Sequence, residues 1–430
     1  MFKVDMYKWI SDLFNYNRSI TGEGTRKTLD YFEKLNPELK RLRFKTGKKV
    51  FDWRIPKEWV INDAYIENSN KVKFAEFKKN NLHLVSYSAP VNQILDKKKL
   101  SQKIYTVKKY KNYIPYVTSY YKNDWGFCLS EKQKTKYLKG NKFKVVIKSK
   151  FKKGYLDCSH ALIKGKTKKE IFFSSNICHP SMASNELSGP ALINAIMLYI
   201  KSKYPNNHYS YRFALVPETI GSLAYLSRYL KSLKKNVIAG YVLSCVGDNN
   251  NFSIIKSREE NFLSEKILET LLKTKKNLKI YSYLERGSDE RQYCSPGIDL
   301  PMCGFCRSKY GEYKEYHTSA DNLKFINQKG LQESLNIFSK IIDMFETGII
   351  PQRINLGEPF LSKRNLFNNK GLWEKKSYEK NFKTRFNFLA YCDNETNIFD
   401  ISNKIKVPLD TLFEEYKLLI KSGIIKAKHY

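Results

Sequence analysis

The sequence predicts an α/β protein. It has a sheet with helices on both faces, joined to a separate β-rich unit and a small helical C-terminal unit. Three observations carry that prediction. From about residue 155, strand-like apolar runs alternate with helix-like stretches, the order that builds a helix-flanked sheet. Residues 50–150 are instead dense in Tyr, Trp and β-branched residues. Residues 383–427 give short helical stretches and a Gly turn.

Residues 5–46 read as helical, with "RSITGEGTRKTLDYF" supplying a Thr/Gly break and then an amphipathic helix from about Gly24. "FDWRIPKEWVINDAYI", "LHLVSYSAP", "YIPYVTSYY" and "FKVVIKS" mark residues 50–150 as an inserted β-rich domain. It divides an α/β domain over 1–49 and 151–350. Strands are predicted at 155–164, 171–177, 211–216, 237–246, 252–257, 278–284 and 300–306. Helices are predicted at 186–203, 221–234, 261–274 and 329–346. In such sheets, sites lie at the carboxyl ends of strands. Residues 351–379 read as a polar connector with Pro351, Gly357 and Pro359. "NIFDISNKIKVPLDTLFEEYKLLIKSGII" gives residues 380–430 the pattern of a winged helix.

The chain has 430 residues, 42% of them hydrophobic, enough for two or three domains with cores. No run approaches the roughly 18 apolar residues of a membrane helix. "MFKVDMYKWISDLF" has charges inside its apolar pattern and is not a signal peptide. The eight Cys are scattered through apolar segments, which points to buried thiols in a reducing cytoplasm. The net charge of +35 has two readings: a nucleic-acid or membrane surface, or a Lys-, Asn-, Ile- and Tyr-rich background composition. Basic residues run along the whole chain rather than clustering, which favours the background.

Four stretches end predicted strands of the sheet. His179 follows "IFFSSNIC", Glu218 follows "FALVP", Asp248 follows "VLSCVG", and His317 lies in "YKEYHTSADNL". Two His and carboxylates at separate strand ends suit zinc, which takes such ligands at about 2.0–2.2 Å. Singly, each has a plain structural alternative: a core His, or Glu218 capping the helix near Gly221. Their joint order is what carries weight.

"RSITGEGTRKTLDYF", "CHPSMASNELSGP", "VPETIGSLAYL", "CVGD", "GSDERQYCSPGIDLP" and "YHTSADNL" resemble the aminopeptidase-like proteins with a C-terminal winged helix found among polysaccharide-biosynthesis proteins. That resemblance covers nearly the whole chain. The α/β part is more distantly similar to zinc leucyl aminopeptidases and glutaminyl cyclases. The resemblance implies a zinc-aminopeptidase-like mixed sheet flanked by helices. It also implies His179 as first histidine ligand, Asn185 at the place of an aspartate bridging two zinc ions, Glu218 as a ligand and His317 as last ligand. Three departures stand out. Pro217 takes the place of the general-base glutamate, Ser244 the place of another aspartate ligand, and "SDE" at 288–290 the place of "SDH".

A bridge between two dications needs negative charge, and the amide of Asn185 is neutral. One zinc ion is therefore expected rather than two, on His179, Glu218 and His317, or with Asp248 or Asp289 recruited. The lost base leaves Glu186, Asp289 and Glu290 as catalytic candidates. Arg18 and Arg26 are candidates for an anionic substrate group, with solvated charge as the alternative. "CGFC" at 303–306 reads as a buried pair and His160 as structural. The aromatic residues of 50–150 stack sugars or bases, or simply pack a β domain.

The expected protein is a cytoplasmic zinc-dependent hydrolase acting on a small amide or peptide-like substrate, with a tie to surface polysaccharide assembly by resemblance. The rival is a lapsed enzyme serving as a binding or regulatory protein, its winged helix touching a partner or DNA. Acids and bases mix in "TLFEEYKLLIKSGIIKAKHY", which weakens the DNA case. Membrane association is not expected, and the oligomeric state is open.

Overall fold

The computed structural model describes residues 2–367 and 382–430. The stretch 368–379 of the expected connector, and residues 380–381, lie outside the described residues.

Among the described residues, eight strands form the main sheet. They are β1 (Lys40–Lys45), β2 (Tyr155–Ile163), β3 (Glu170–Asn176), β4 (Ser210–Val216), β5 (Val237–Leu243), β6 (Phe252–Ile255), β7 (Leu278–Tyr281) and β8 (Met302–Cys306). Their order is β1-β2-β4-β3-β5-β8-β6-β7. The middle four, β4, β3, β5 and β8, run parallel, and their carboxyl ends share one edge. β3 and β4 are buried at every residue, as parallel strands covered on both faces must be.

The helices flanking the sheet include α1 (Met6–Leu13), α2 (Glu23–Leu35), α3 (Ser188–Lys203), α4 (Ile220–Asn236), α5 (Leu263–Leu272) and α6 (Gln328–Thr347). α3 is buried almost all round, which is why "SGPALINAIMLYI" lacks a polar face. Its Pro190 sits in the first turn, where no helical N–H is lost. A Cβ on Gly189 would stand 2.3 Å from Leu243 O and 2.1 Å from Ser175 Oγ. Only glycine lets the start of α3 press onto β3 and β5. That close seat fixes the loop between β3 and α3.

The helical reading of 5–46 holds for α1 and α2 but not for Lys40–Lys45, which is the antiparallel edge strand β1. Its pattern there is period two, with Leu42 and Phe44 inward, too short among basic residues to stand out. The helix expected from residue 186 starts at Ser188, after a wide π-type turn at Ala183–Leu187.

Within 50–150, strands Lys73–Phe74, Glu58–Asn68, Lys142–Lys152 and Val91–Asp96 form an antiparallel sheet in that order. The segment 114–121 leaves this unit and docks on the main body. Tyr116 N–H donates to His317 O at 2.7 Å, and Ser319 N–H donates to Ile114 O at 2.8 Å. At the C-terminus, Ile350–Arg353 pairs antiparallel with Ile425–Lys428 around helices Lys383–Ala390, Ile398–Ile405 and Leu409–Lys421. This unit packs on the α/β body, with Lys340 Nζ 2.6 Å from Asp410 and Asn403 Nδ2 donating to Thr270 Oγ1 at 3.0 Å. No helix among the described residues is long and apolar enough to cross a membrane. All eight cysteines are buried and free, including Cys303 and Cys306.

Candidate metal centre and its cavity

The loop 177–187 crosses the carboxyl edge of the sheet and is buried except at Ser181. Burial leaves its backbone and ring donors in need of acceptors. Glu186, fully buried, supplies two: one oxygen lies 2.6 Å from His179 Nδ1, and the other accepts the Cys178 N–H. Arg18 braces the loop from below. Its Nε donates to His179 O at 2.9 Å and its Nη1 to Leu13 O at 2.6 Å. Asp321 holds the next turn, accepting from Ser184 N–H at 2.7 Å and Asn185 N–H at 2.9 Å. Burial still pushes the Asp321 carboxyl up to about 6.

With Nδ1 engaged by Glu186, His179 turns Nε2 toward Glu218, 3.7 Å away. Glu218 follows β4, after Pro217, and keeps 22% of its side chain exposed. His317 arrives from the loop after β8. Its ring centroid is 5.1 Å from that of His179, and it stacks on Tyr316 at 3.9 Å. Tyr116, from the inserted unit, packs against both histidines at 4.9 and 5.2 Å. Each strand-end loop holds a non-glycine residue at positive φ: Ser181 (45°), Thr219 (65°), Cys245 (54°) and His317 (53°). Such backbone costs of order 1–3 kcal/mol each and clusters at functional sites.

His179, Glu218 and His317 line one cavity of about 460 Å³, walled by Ile20, Trp53, Tyr116, Tyr120, Tyr121 and Arg291. A larger cavity of about 670 Å³, walled by Asn15, Lys78 and Asn81 among others, contains none of these groups.

The charge states of the two histidines differ. Burial opposes charge on His179, but Cys178 and Glu186 carry it well above the usual imidazole range. Burial and the neighbouring His179 hold His317 well below that range, so its ring is neutral, the form that can ligate, whereas a zinc ion at His179 would have to displace the Nε2 proton. Burial also raises Glu218.

Do these residues fit zinc? Two ligands at about 2.1 Å in a tetrahedron sit about 3.4 Å apart, close to the 3.7 Å between His179 Nε2 and Glu218. His317 Nε2 and Asn185 Oδ1 are buried without a hydrogen-bond partner among the described residues. A His2Glu donor set facing a cavity matches catalytic zinc sites. The one group of three such donors within 4.8 Å of one another among the described residues is different, Cys178, His179 and Glu186, and the His179, Glu218 and His317 donors are spread more widely than that. The group with Cys178 is a poor seat for an ion. Burial pushes the Cys178 thiol up to about 12, and both Glu186 oxygens already accept hydrogen bonds. Its geometry is that of a support for His179, the usual partner of a metal-ligating imidazole. The expected bridging position offers no anionic donor. Asn185 is neutral, and its Nδ2 approaches Ser244 Oγ at 3.5 Å and Cys245 Sγ at 3.6 Å.

Several expected site residues go elsewhere. Asp248 is buried and accepts from Ser308 N–H at 3.0 Å, Ser308 Oγ at 2.9 Å and Asn250 N–H at 2.8 Å. It ties two strand-end loops together away from the histidines. Asp289 accepts from Thr219 N–H and Ser222 Oγ, both at 2.8 Å, and holds the start of α4. Burial, with Glu218 beside it, raises its carboxyl to about 7. Glu290 accepts from Gly287 N–H at 2.8 Å, Ser288 N–H at 3.0 Å and the Tyr310 hydroxyl. With Glu186 engaged as described, none of the three proposed bases lines the cavity. Arg18 is wholly buried. Arg26 pairs with Glu58 at 2.7 Å and lines a different cavity. Neither arginine reaches the histidines' cavity. Tyr116, Arg291 and Asp321 were not singled out from the sequence. Asp321 alone had a signal there, four residues after His317 in "YHTSADNL".

Comparison with known proteins agrees with this architecture. A family model described as a domain of unknown function (DUF4910) matches residues 7–348, and a winged helix-turn-helix model matches 349–427. A Clostridium acetobutylicum relative, named for polysaccharide biosynthesis with an aminopeptidase-like domain, is 38% identical over 421 residues, 95% of this chain and 94% of that one. A crystal structure from Clostridium acetobutylicum, titled as a candidate peptidase, superposes with TM-score 0.88 at 36% identity, covering 98% of this chain and 96% of that one. A zinc aminopeptidase from Bacillus subtilis superposes with TM-score 0.57 at 14% identity, over 78% of this chain and 92% of that one. At that identity the likeness is one of fold. The chain belongs to the DUF4910 family, an aminopeptidase-like α/β fold carrying a C-terminal winged helix.

Proposed function

We propose that this protein is a single-zinc hydrolase that cleaves an amide bond in a small or peptide-like substrate. One observation carries the reading: His179, Glu218 and His317, from three strand-end loops, line one cavity. When bound, zinc supplies Lewis acidity toward a carbonyl oxygen. The chain's own residues do the rest. Glu186 holds His179 Nδ1 and aims Nε2 at the cavity. Tyr116 and Tyr120, hydroxyls 2.9 Å apart, stay protonated because burial raises both well above the usual phenol range. The O–H of the pair that does not donate to its neighbour can donate to an oxygen that gains charge. Trp53, Ile20 and Tyr121 cover the organic body of the substrate and exclude water.

Glu218 is the single carboxylate lining this cavity among the described residues. As a ligand it leaves no separate proton acceptor, so slow turnover is expected. The same observation favours a second reading, a binding protein that has lost hydrolysis. A role in polysaccharide biosynthesis is part of the proposal and draws on the relative's name; a cytoplasmic location is proposed with it, from the eight buried and free cysteines.

The test is amine release from a panel of aminoacyl amides and dipeptides. The hydrolase reading expects release that chelator abolishes, zinc restores and His179→Ala removes. Binding of the same compounds without release, in zinc-loaded protein, supports the second reading.

A further inference from the structure

Arg291 lines the histidine cavity together with Glu218 and His317. Its Nη2 donates to Thr219 Oγ1, on the residue after Glu218, and its Nε is buried with no acceptor among the described residues. Most other enclosed arginines meet a carboxylate, while Arg18 Nη2 and Arg353 Nε are, like Arg291 Nε, buried without an acceptor among the described residues. Arg41, Arg212, Arg307 and Arg385 each meet a carboxylate, at 2.8, 2.5, 2.7 and 2.6 Å. Arg18 and Arg353 donate to backbone carbonyls. For Arg291 no carboxylate oxygen comes within 4.0 Å among the described residues.

An adjoining depression of about 550 Å³ shares Arg291 and Gln292 with the first cavity and adds Arg286. Arg286 also lacks a carboxylate partner among the described residues. It lies 4.4 Å over the Tyr283 ring and donates to Tyr283 O at 3.1 Å. The line from Glu218 outward therefore meets two guanidinium groups with no ion pair within 4.0 Å among the described residues, although Glu218 and Asp289 feel the charge of Arg291. A planar guanidinium with free donors binds carboxylate or phosphate in a fork.

We infer that the substrate carries an anionic group, a carboxylate or a phosphate, beside the bond that reacts, and that Arg291 recognises it. This deepens the proposed function and rests on it only for which cavity the substrate enters.

The test uses the full chain, zinc-loaded, and two probes that differ only in side-chain charge: glycyl-L-glutamyl amide and glycyl-L-glutaminyl amide. Affinities are measured by calorimetry, with inorganic phosphate as a competitor. A charge-assisted hydrogen bond should make the acidic probe bind about tenfold tighter. Arg291→Gln should bring the two affinities within about twofold of each other, and Arg291→Lys should keep part of the preference. Melting temperatures check that each variant folds. Preference for the acidic probe that needs Arg291 identifies a carboxylate. Phosphate competition that Arg291→Gln removes, without that preference, identifies a phosphate. The inference is overturned if neither effect is seen, or if either persists in Arg291→Gln. Charge preference without amine release would sink the hydrolase reading and leave this one standing; release with neither charge preference nor phosphate competition would do the reverse.

Discussion

Consider Glu186→Gln, which keeps the side chain's shape and removes its charge. Glu186 is fully buried, and its two oxygens accept from Cys178 N–H and face His179 Nδ1 at 2.6 Å. A glutamine there has one oxygen and one NH2. If its oxygen keeps Cys178, its NH2 meets His179 Nδ1, which must then accept. The ring proton moves to Nε2, the atom that faces Glu218. A protonated Nε2 cannot ligate. If the oxygen turns to His179 instead, two N–H donors collide at Cys178. Either arrangement loses a charge-assisted hydrogen bond, about 1.5–3 kcal/mol, and removes a negative group beside Arg18, whose charge burial already disfavours. At about 2.1 cal/mol/K of unfolding entropy per residue, a body of this size loses roughly 1–1.5 °C of melting temperature per kcal/mol, so a loss of about 2–5 °C is expected. Zinc affinity should fall by about 10–100-fold, as for loss of the partner that orients a ligating imidazole. Competition with a chromophoric chelator reads the affinity, and metal-free melting reads the stability. A variant that binds zinc within about twofold of the parent would refute the claim that Glu186 sets the state of His179.

Asn185→Asp should raise zinc content above that of the parent, since an anionic oxygen can join or bridge an ion; equal metal content would show that Asn185 does not face the ion. Asp321 titrates at about 6 in the fold against 3.8 as its ordinary value, so the folded state holds this proton more tightly. The stability it contributes is present below pH 3.8 and is lost as pH rises to about 6, by about 3 kcal/mol. Asp321→Asn should flatten that fall in urea melts, and an unchanged pH profile would contradict it. Residues 349–430 should give no salt-sensitive nanomolar gel shift with DNA, because Asp410, Glu414 and Glu415 share the helix Leu409–Lys421 with its lysines; such a shift, steep in salt, would count against the packing role.

The main sheet was largely legible because its parallel strands are buried apolar runs, as in "IFFSSN" and "YRFALV", divided by long helices. β1 was not, since alternating Arg and Lys hide its two inward residues. His179, Glu218 and His317 could be read because each follows a strand end. The base candidates lie off the cavity for a physical reason. Glu186, Asp289 and Glu290 sit where loops bury backbone N–H groups, and those donors hold the carboxylates inward, although Asp289 Oδ2 and Glu290 Oε2 have no hydrogen-bond partner among the described residues. Tyr116 was beyond reach because its contact with His317 is a backbone pairing across some two hundred residues of chain, invisible to any local pattern.

The account turns on one zinc ion held by His179, Glu218 and His317. Elemental analysis of protein purified without chelators, counted per chain for the parent and for His317→Ala, tests this most directly. The account predicts one ion per chain in the parent and strong depletion in His317→Ala. Two ions per chain, none, or a count that His317→Ala leaves untouched would contradict it.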